Sequence, residues 1–398
     1  MTEQGQMTKD GWPVRTPDLA DIRDAVRALC DRFPGEYWRR LDQARAYPTE
    51  FVSALTADGW LAALIPERYG GSGLGIEEAA VILQEVNHSG GNAGAAHAQM
   101  YITAALIRHG SIAQKEAYLP GIAAGDLRLQ AFGVTEPDAG SETTKIQTTA
   151  RRHGDRYIIS GQKVFTSRVE HSDLMLLLAR TAPYDEIRKR TEGLSVFLVD
   201  LASALASGQL TVRPLAMMVN HHTTELFIDE LEVPASQLIG EEGRGFRYII
   251  DGWNAERILI AAECVGDGDW FVERASSYAT GRIVFDKPVG ANQGVQFPIA
   301  SAYAEVRAAE LMTYRAAQLF DLGHQCGPEA NMAKLLGSRA SWAAANACLD
   351  THGGYGFAVE YDVERKFRET RLYSTAPVSN NLVMAYLAHN VLTLPRSY

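Results

Sequence analysis

Three short segments carry residue types that suit ligand binding or proton transfer. The first, Val134–Ser141 (VTEPDAGS), is a strand-like run that ends in a polar turn. Such a turn offers unpaired backbone N–H groups and short side-chain donors, which suit the edge of a heteroaromatic ring or a phosphate group. A plain connection between a strand and a loop has the same pattern, so this segment alone leaves both interpretations open.

The other two segments lie in the last third of the chain. His352–Gly356 (HGGYG) follows an alanine-rich helical stretch, and its glycines suit either close approach to a ligand or partner chain or a helix C-cap. Glu256 and Arg257 begin an otherwise apolar helical run. A carboxylate at the edge of such a run is partly desolvated, which raises its pKa toward that of a general base. The alternative is a first-turn glutamate that complements the helix dipole.

Other kinds of catalytic centre have no support in the sequence. His221 and His222 form the only adjacent pair among the ten histidines, and we expect neighbouring residues of a strand to point to opposite faces, which makes a poor metal site. The four cysteines are far apart and form no CxxC pair, so neither a zinc cluster nor a disulfide framework is expected. The sequence contains no HExxH, GxSxG or P-loop pattern. We therefore predict no metal site, and the missing motifs disfavour hydrolase and kinase chemistry.

Three zones of different pattern must position these segments. Residues from about Pro17 to Asp126 have helical apolar spacing, those from about Leu127 to Pro234 form short β-branched and aromatic runs, and those from Gly243 onward are helical again. The glycine cluster Gly70–Gly75 lacks the GxGxxG spacing, so it is predicted to be a loop with left-handed backbone positions. The pattern therefore predicts helices, then a β domain of about 100 residues, then a helical bundle.

Composition limits the partners of the chain. Its 398 residues are 46% apolar and 22% charged, with 48 acidic against 38 basic side chains and a formal charge of −10. An excess of acidic residues disfavours general nucleic-acid binding, because no cationic field attracts phosphate backbones. The first residues lack the apolar core of a secretory signal, and no stretch reaches the ~20 apolar residues of a membrane span. We therefore expect a cytoplasmic protein that binds neither nucleic acid nor membrane.

In their order and spacing these segments resemble the acyl-CoA dehydrogenase family of flavoproteins, from about Ile22 to Leu392. The matching stretches are VTEPDAGS, GQKVFTS (Gly161–Ser167), RIVFDKPVGANQGVQF (Arg282–Phe297), HGGYGF (His352–Phe357) and VERKFRETR (Val363–Arg371). The resemblance implies an α+β fold with three domains: an N-terminal helical domain (1–126), a middle barrel- or sandwich-like β domain (127–236) and a C-terminal four-helix bundle (237–398). It also implies non-covalent FAD, an acyl-CoA substrate, an electron-transferring flavoprotein as electron acceptor, and a homotetramer or dimer of dimers.

The same resemblance implies which residues hold the cofactor. Phe165, Thr166 and Ser167 stand where the family has Trp-Ile-Thr, which packs on and hydrogen-bonds the isoalloxazine ring. Arg282 and Gln293 match residues that reach the FAD of a neighbouring subunit. The full set of expected cofactor-binding residues is Phe132, Val134, Thr135, Gly140, Ser141, Phe165, Thr166, Ser167, Arg282, Phe285, Gln293, Asp350, Gly353, Gly354, Ser379 and Asn381. Asp350 stands where the family usually has Gln.

The resemblance also implies a catalytic base. Many members carry a Glu shortly after the segment that matches VERKFRETR, but here Pro377 takes that place. A minority branch, the isovaleryl- and long-chain-type enzymes, carries its Glu directly before a helix Arg, as Glu256 stands before Arg257. Glu256 is therefore the predicted base, and the predicted substrate-binding residues are Ser141, Arg257 and Tyr373.

The resemblance leaves the oxyanion donor, the type of reaction and the acyl group open. Pro377 has no N–H for the thioester oxygen, so Ala376, Val378 or another group must donate. Pro377 and Asp350 also keep other flavin chemistry on a CoA thioester (desulfination, oxidation or hydroxylation) as an alternative to dehydrogenation. A non-catalytic flavin- or acyl-CoA-binding protein is a further alternative, and the sequence does not identify the acyl group.

Overall fold

The N-terminal zone is helical, as its apolar spacing predicts. The computed structural model describes residues 17–396. The helices of this zone are α1 (Pro17–Cys30), α2 (Gly35–Ala44), α3 (Thr49–Ala57), α4 (Ile76–His88), α5 (Gly94–His109) and α6 (Ile112–Ala124). The glycine cluster before α4 is a loop in which Gly70 and Gly73 have φ of +87° and +62°, so the prediction of left-handed positions is confirmed.

The middle zone forms one mixed sheet. Its elements are β1 (Leu129–Gly133), β2 (Thr149–His153), β3 (Arg156–Ser167), β4 (Leu174–Arg180), β5 (Leu194–Asp200), α7 (Leu201–Ala206), β6 (Leu210–Pro214), β7 (Thr223–Pro234) and β8 (Leu238–Ile239). The strand order is β6-β7-β3-β2-β4-β5-β8, and β1 pairs in parallel with β4. Every residue of β4 is buried, since it lies between β1 and β5 inside the sheet. His221 and His222 precede β7 rather than lying in a strand, which corrects the expected geometry of that pair.

The C-terminal zone is built on three long helices. Its elements are α8 (Gly245–Gly281), β9 (Ile283–Val284), β10 (Lys287–Pro288), α9 (Gln293–Asp321), α10 (Gly327–His352), α11 (Val363–Arg371) and α12 (Asn380–Tyr386). Gly245 permits α8 to start against β5, because a Cβ there would lie 2.7 Å from the backbone of Ser195. The helical, sheet and helical zones confirm the predicted three-part fold.

Helix α8 passes through the middle of the molecule. Every residue from Ala255 to Gly268 is buried, because α4, α5, α9 and α10 all pack against this helix. Glu256 lies about three turns into α8, so the expectation that it begins the helix is wrong, and so is the alternative of a first-turn glutamate. Within the described residues, no helix is long and apolar enough to cross a bilayer.

Candidate active site

A buried ion pair between Glu136 and Lys163 holds the polar turn Val134–Ser141 in place. The Glu136 carboxylate accepts hydrogen bonds from Lys163 Nζ (2.8 Å) and from the backbone N–H of Thr148 (2.9 Å). Lys163 Nζ also donates to the Val134 carbonyl (3.1 Å). Burial lowers the pKa of Lys163 to about 8. Burial acts to raise the pKa of Glu136, but Lys163 and the N–H donors outweigh it and the pKa is lowered.

This ion pair was not among the predicted site residues. The two side chains lie 27 positions apart in the chain, and they meet where Val164 N donates to the Thr135 carbonyl (2.9 Å) and joins the turn to β3. The available signal was a charged residue within each of two matched motifs, Glu136 in VTEPDAGS and Lys163 in GQKVFTS.

The end of β3 presents an aromatic ring and a free hydroxyl beside the turn. Phe165 has a φ of +60° and is 57% exposed, so its ring is not part of the core. Thr166 Oγ1 is buried and finds no hydrogen-bond partner among the described residues, whereas Ser167 Oγ lies 3.2 Å from Thr223 Oγ1. A flat ring with polar edges could stack on the first of these residues and hydrogen-bond to the second.

The predicted cofactor-binding glycines have free space next to their backbone. A Cβ placed on Gly140, Gly353 or Gly354 would meet no atom within 4 Å, so a ligand can approach the backbone there. Gly353 has a φ of +56° and is the C-cap of α10, which confirms the capping interpretation of the HGGYG segment without excluding ligand contact. Phe132, Val134 and Thr135 are half-buried, and Ser141 is exposed.

A second group of predicted cofactor-binding residues lies where α8 ends and α9 begins. Arg282 directly follows α8, Gln293 begins α9, and the β9–β10 hairpin lies between them. The Arg282 guanidinium lies 5.8 Å from the ring centroid of Tyr355, which brings the HGGYG segment to the same place. Phe285 is 95% exposed and Asp350 is also exposed. Among the described residues, no hydrogen bond, ion pair or ring contact joins this group to the polar turn. Contact with the FAD of a neighbouring subunit stays a prediction for them.

Glu256 is a buried carboxylate without a hydrogen-bond donor. The residue is 7% exposed, and no described side chain or N–H group donates to it. Burial raises the pKa of its carboxyl, while the charges of His97 and Arg257 act in the opposite direction. Unpaired ionisable groups with a raised pKa are typical of acid–base catalysts, because a paired carboxylate would be too weak a base.

Helix α5 faces α8 across this carboxylate. His97 and Tyr101, one turn apart on α5, have ring centroids 5.1 Å apart. His97 Nδ1 lies 2.8 Å from Glu263 Oε1, at ion-pair distance but outside hydrogen-bond alignment. Burial, together with the charge of Glu256, raises the pKa of the Tyr101 phenol, so Tyr101 is a neutral hydroxyl beside the carboxylate.

Tyr373, a predicted substrate-binding residue, uses its hydroxyl in two hydrogen bonds within the protein. Its hydroxyl donates to Glu263 Oε2 (2.9 Å) and accepts from Asn87 Nδ2 (3.1 Å). Burial raises the pKa of this phenol well above its usual range. Arg257 lies beside Glu256 with its guanidinium 5.4 Å from the Trp253 ring centroid, and its Nε is buried without a partner among the described residues.

The loop around Pro377 is held by Lys334. Lys334 Nζ donates to the Val378 carbonyl (2.6 Å) and to Asn380 Oδ1 (2.8 Å). The Ala376 N–H donates to the Leu372 carbonyl (2.9 Å), whereas the Val378 N–H has no acceptor among the described residues. Ser379 caps α12 by accepting from Leu382 N (3.3 Å), and Asn381 is exposed on that helix.

The VERKFRETR segment positions the start of α5. Arg365 Nη2 donates to the Gly90 carbonyl and Lys366 Nζ to the Gly91 carbonyl, both at 2.9 Å. Lys366 also pairs with the fully buried Asp267 on α8 (2.5 Å). The segment therefore fixes α5 relative to α8. The described residues contain no group of three or more His, Cys, Asp or Glu side chains placed to hold a metal ion.

Fold and site together define a class of protein: an enzyme of helical, sheet and helical parts, with an open polar turn beside the sheet that suits a flat ligand and a buried carboxylate on the central helix. The chain belongs to the acyl-CoA dehydrogenase family. It matches the N-terminal domain of that family over residues 16–126, the middle domain over 131–231 and the C-terminal domain over 243–391.

Individual relatives agree with this membership. Acyl-CoA dehydrogenase FadE12 of Mycobacterium tuberculosis is 36% identical over 396 residues, covering 97% of this chain and 98% of its own length. The structure of butyryl-CoA dehydrogenase from Megasphaera elsdenii superposes with a TM-score of 0.88 at 25% identity, covering 95% of this chain and 99% of its own. The glutaryl-CoA dehydrogenase complex with glutaryl-CoA gives 0.88 at 27% identity, covering 96% and 97%.

Proposed function

We propose that this chain oxidises an acyl-CoA thioester to the trans-2-enoyl-CoA, with Glu256 removing the α-proton. The observation that carries the proposal is the buried Glu256 carboxylate, to which no described group donates a hydrogen bond. Membership in the family supports acyl-CoA dehydrogenation in general. The position of the base, as in the isovaleryl- and long-chain-type branch, is the part that we add.

The cofactor of the family is FAD, and the open turn fits it. The unpartnered Thr166 hydroxyl, the exposed Phe165 ring and the free space at Gly140 are what a flavin ring needs on one side. When bound, FAD supplies a hydride acceptor for the β-carbon of the substrate. We propose that residues Phe132–Ser141 and Phe165–Ser167 hold it, and that Arg282, Phe285, Gln293, Asp350, Gly353, Gly354, Ser379 and Asn381 complete the site.

We assign proton removal and stabilisation of the thioester oxygen to residues of this chain. Glu256 takes the α-proton, and its raised pKa makes its carboxylate a stronger base than an exposed glutamate. The thioester oxygen needs a hydrogen-bond donor, because the α-proton becomes acidic only as negative charge moves to that oxygen. We propose the Val378 N–H for this task, since the Ala376 N–H is already used. Lys334 holds the Val378 peptide in place, and Lys163 with Glu136 holds the turn.

Anaerobic flavin reduction by saturated acyl-CoAs tests the base. The Glu256→Gln variant should retain FAD and lose reduction by about three orders of magnitude or more, while Asp251→Asn, an exposed acid earlier on α8, should behave as the parent chain. Reduction at the parent rate by Glu256→Gln would contradict the assignment.

Product analysis separates the alternatives: enoyl-CoA formed without sulfite release or oxygen incorporation excludes desulfination, oxidation and hydroxylation. Absence of turnover across a broad thioester panel would instead favour a binding protein.

The remaining expectations become proposals supported by the family. We propose domain boundaries at residues 126 and 236. The first falls between the end of α6 at Ala124 and the start of β1 at Leu129, whereas the second leaves the short strand β8 (Leu238–Ile239), which pairs with β5, on its C-terminal side. Residues 1–16 of the first proposed domain lie outside the described residues. A homotetramer or dimer of dimers, an electron-transferring flavoprotein as acceptor and a cytoplasmic location complete the proposal.

A further inference from the structure

A buried lysine on α10 joins that helix to the loop that contains Pro377. Lys334 is fully buried, with 0% of its surface exposed. Its Nζ donates to the Val378 carbonyl (2.6 Å) and to Asn380 Oδ1 (2.8 Å). The hydroxyl of Ser338, one turn later on α10, donates to the same Asn380 oxygen (3.1 Å). Lys334 therefore fixes both the loop and the start of α12.

Helix α10 packs closely on α8 beside this lysine. A Cβ on Gly337 would lie 3.1 Å from the Cβ of Cys264 on α8, so the absence of a side chain at position 337 permits the close contact. Lys334 lies about one turn before Gly337 on α10. The charge of Arg257, which directly follows Glu256, acts on Lys334. Lys334 is therefore close to the part of α8 that carries the proposed base.

The start of the loop also packs on α8. Tyr373 forms a small apolar cluster with Ile260 and Cys264 of that helix. Ile260 lies one turn after Glu256, on the same face of α8. Because Val378 follows shortly after Tyr373 in the chain, the loop begins from a point that is fixed near the proposed base.

The hydrogen-bond acceptors of Lys334 are all uncharged. They are a backbone carbonyl and an amide oxygen, and no described carboxylate lies within ion-pair distance of the ammonium group. Arg257 and Cys264, both on α8, are the ionisable groups that act on it. Burial raises the pKa of the Cys264 thiol well above its usual range, so this thiol is neutral. A buried ammonium with neutral acceptors is costly, and negative charge that develops nearby offsets the cost.

We propose that Lys334 is a positioning residue for the oxidation: it orients the Val378 N–H toward the thioester oxygen, and its charge offsets the negative charge that this oxygen gains. The inference rests on the proposed function, because it takes Glu256 as the base. When Glu256 takes the α-proton, the electron pair of the broken C–H bond moves toward the thioester oxygen, and the β-hydrogen leaves with its own pair as hydride to FAD. Negative charge therefore leaves the carboxylate and develops beside Val378, which Lys334 contacts.

Variants that separate charge from hydrogen bonding test this role. Lys334→Gln keeps an N–H donor but removes the charge, whereas Lys334→Arg keeps the charge. The rate of anaerobic flavin reduction at saturating acyl-CoA should fall about tenfold or more in Lys334→Gln and far less in Lys334→Arg. Lys189→Met, which removes an exposed lysine between β4 and β5, should reduce flavin at the parent rate. A parent rate in Lys334→Gln, or an equal loss in both Lys334 variants, overturns the proposal.

The pH profile of the parent chain tests the charge without a substitution. Burial lowers the pKa of Lys334 to about 8, and the charge of Arg257 acts in the same direction. Since the ammonium must be protonated to act, the rate of flavin reduction should fall as the pH rises through about 8 or above. Stopped-flow reduction from pH 7 to 10 measures this, and Lys334→Gln should lack the alkaline limb. Absence of that limb in the parent chain, or the same limb in Lys334→Gln, overturns the proposal.

Failure of this inference is distinguishable from failure of the proposed function. If Lys334→Gln reduces flavin at the parent rate while Glu256→Gln does not reduce it, dehydrogenation with Glu256 as the base stands and only the role of Lys334 is overturned. If no acyl-CoA reduces the flavin of the parent chain, the proposed function is overturned, and this inference with it.

Discussion

Glu256 and Glu263 lie two turns apart on one buried face of α8, and only Glu263 has a hydrogen-bond donor. Tyr373 donates to Glu263 at 2.9 Å and His97 lies 2.8 Å from it, whereas no described group donates to Glu256. Since the same helix buries both carboxylates, their different surroundings arise from the facing elements. One carboxylate is held in a network and the other is left available to take a proton.

Removing Lys163 should weaken both the fold and cofactor binding. Lys163→Met leaves Glu136 buried without its cation, which should lower the free energy of unfolding by about 3–5 kcal/mol. It should also weaken FAD binding, because Val134 loses the bond that fixes its carbonyl. Urea unfolding and FAD fluorescence titration measure the two effects. Lys145→Met, an exposed lysine near the turn, is the matched control, and equal behaviour of both variants would contradict the positioning role.

Removing the N–H of Val378 should slow the chemical step. Val378→Pro deletes the proposed donor to the thioester oxygen, so anaerobic flavin reduction should fall by about 10²–10³-fold. Val378→Ala keeps the N–H and should reduce the rate far less. If the two variants reduce flavin at the same rate, another group serves the thioester oxygen. The FAD absorbance of each variant checks that the loop change has not released the cofactor.

Burial of Glu256 should set the acid limb of the pH profile. The base must be ionised to act, so the rate of flavin reduction should fall as the pH drops through its pKa, and this midpoint should lie above 4.5 because burial raises that pKa. Stopped-flow reduction across pH 5–9 measures it. Glu256→Asp should keep an acid limb and Glu256→Gln should lack one. A midpoint at or below the value of an exposed glutamate would contradict the assigned environment.

His88 should contribute stability that depends on pH. Burial acts to lower its pKa, but hydrogen bonds to Glu273 and Glu85 outweigh this and raise the pKa to about 9. A histidine whose pKa rises on folding stabilises fully below its unfolded pKa of 6.5, and the contribution disappears as the pH rises through about 9. His88→Gln should therefore lower the free energy of unfolding by about 1–3 kcal/mol at pH 6 and by little at pH 10. Urea unfolding at both pH values measures this, and a constant difference would contradict it.

The sequence predicted the three zones, because strand and helix periodicity are local properties. The resemblance singled out Glu256 as the candidate base through its position before Arg257, but the apolar pattern placed it at the start of a helix. The apolar run begins only at Ile258, whereas α8 begins at Gly245, since Phe246 and Ile249 pack against the sheet. That packing is a long-range contact, which local patterns do not reveal.

The missed site residues have the same cause. Glu136 with Lys163, and His97 with Glu263, are pairs formed between elements that are distant in the chain. A sequence displays each charged residue singly and favours the interpretation of a solvated side chain. Their pairing becomes visible only when the strands and helices have been placed.

The absence of a hydrogen-bond donor to the buried Glu256 carboxylate has an evolutionary consequence. A desolvated negative charge without a donor lowers the stability of the protein, so glutamine or an apolar residue at position 256 would fold at least as well. Random drift alone would therefore erase this glutamate over time. Under the proposed role of Glu256 as the base, selection for turnover would retain this glutamate at the expense of stability.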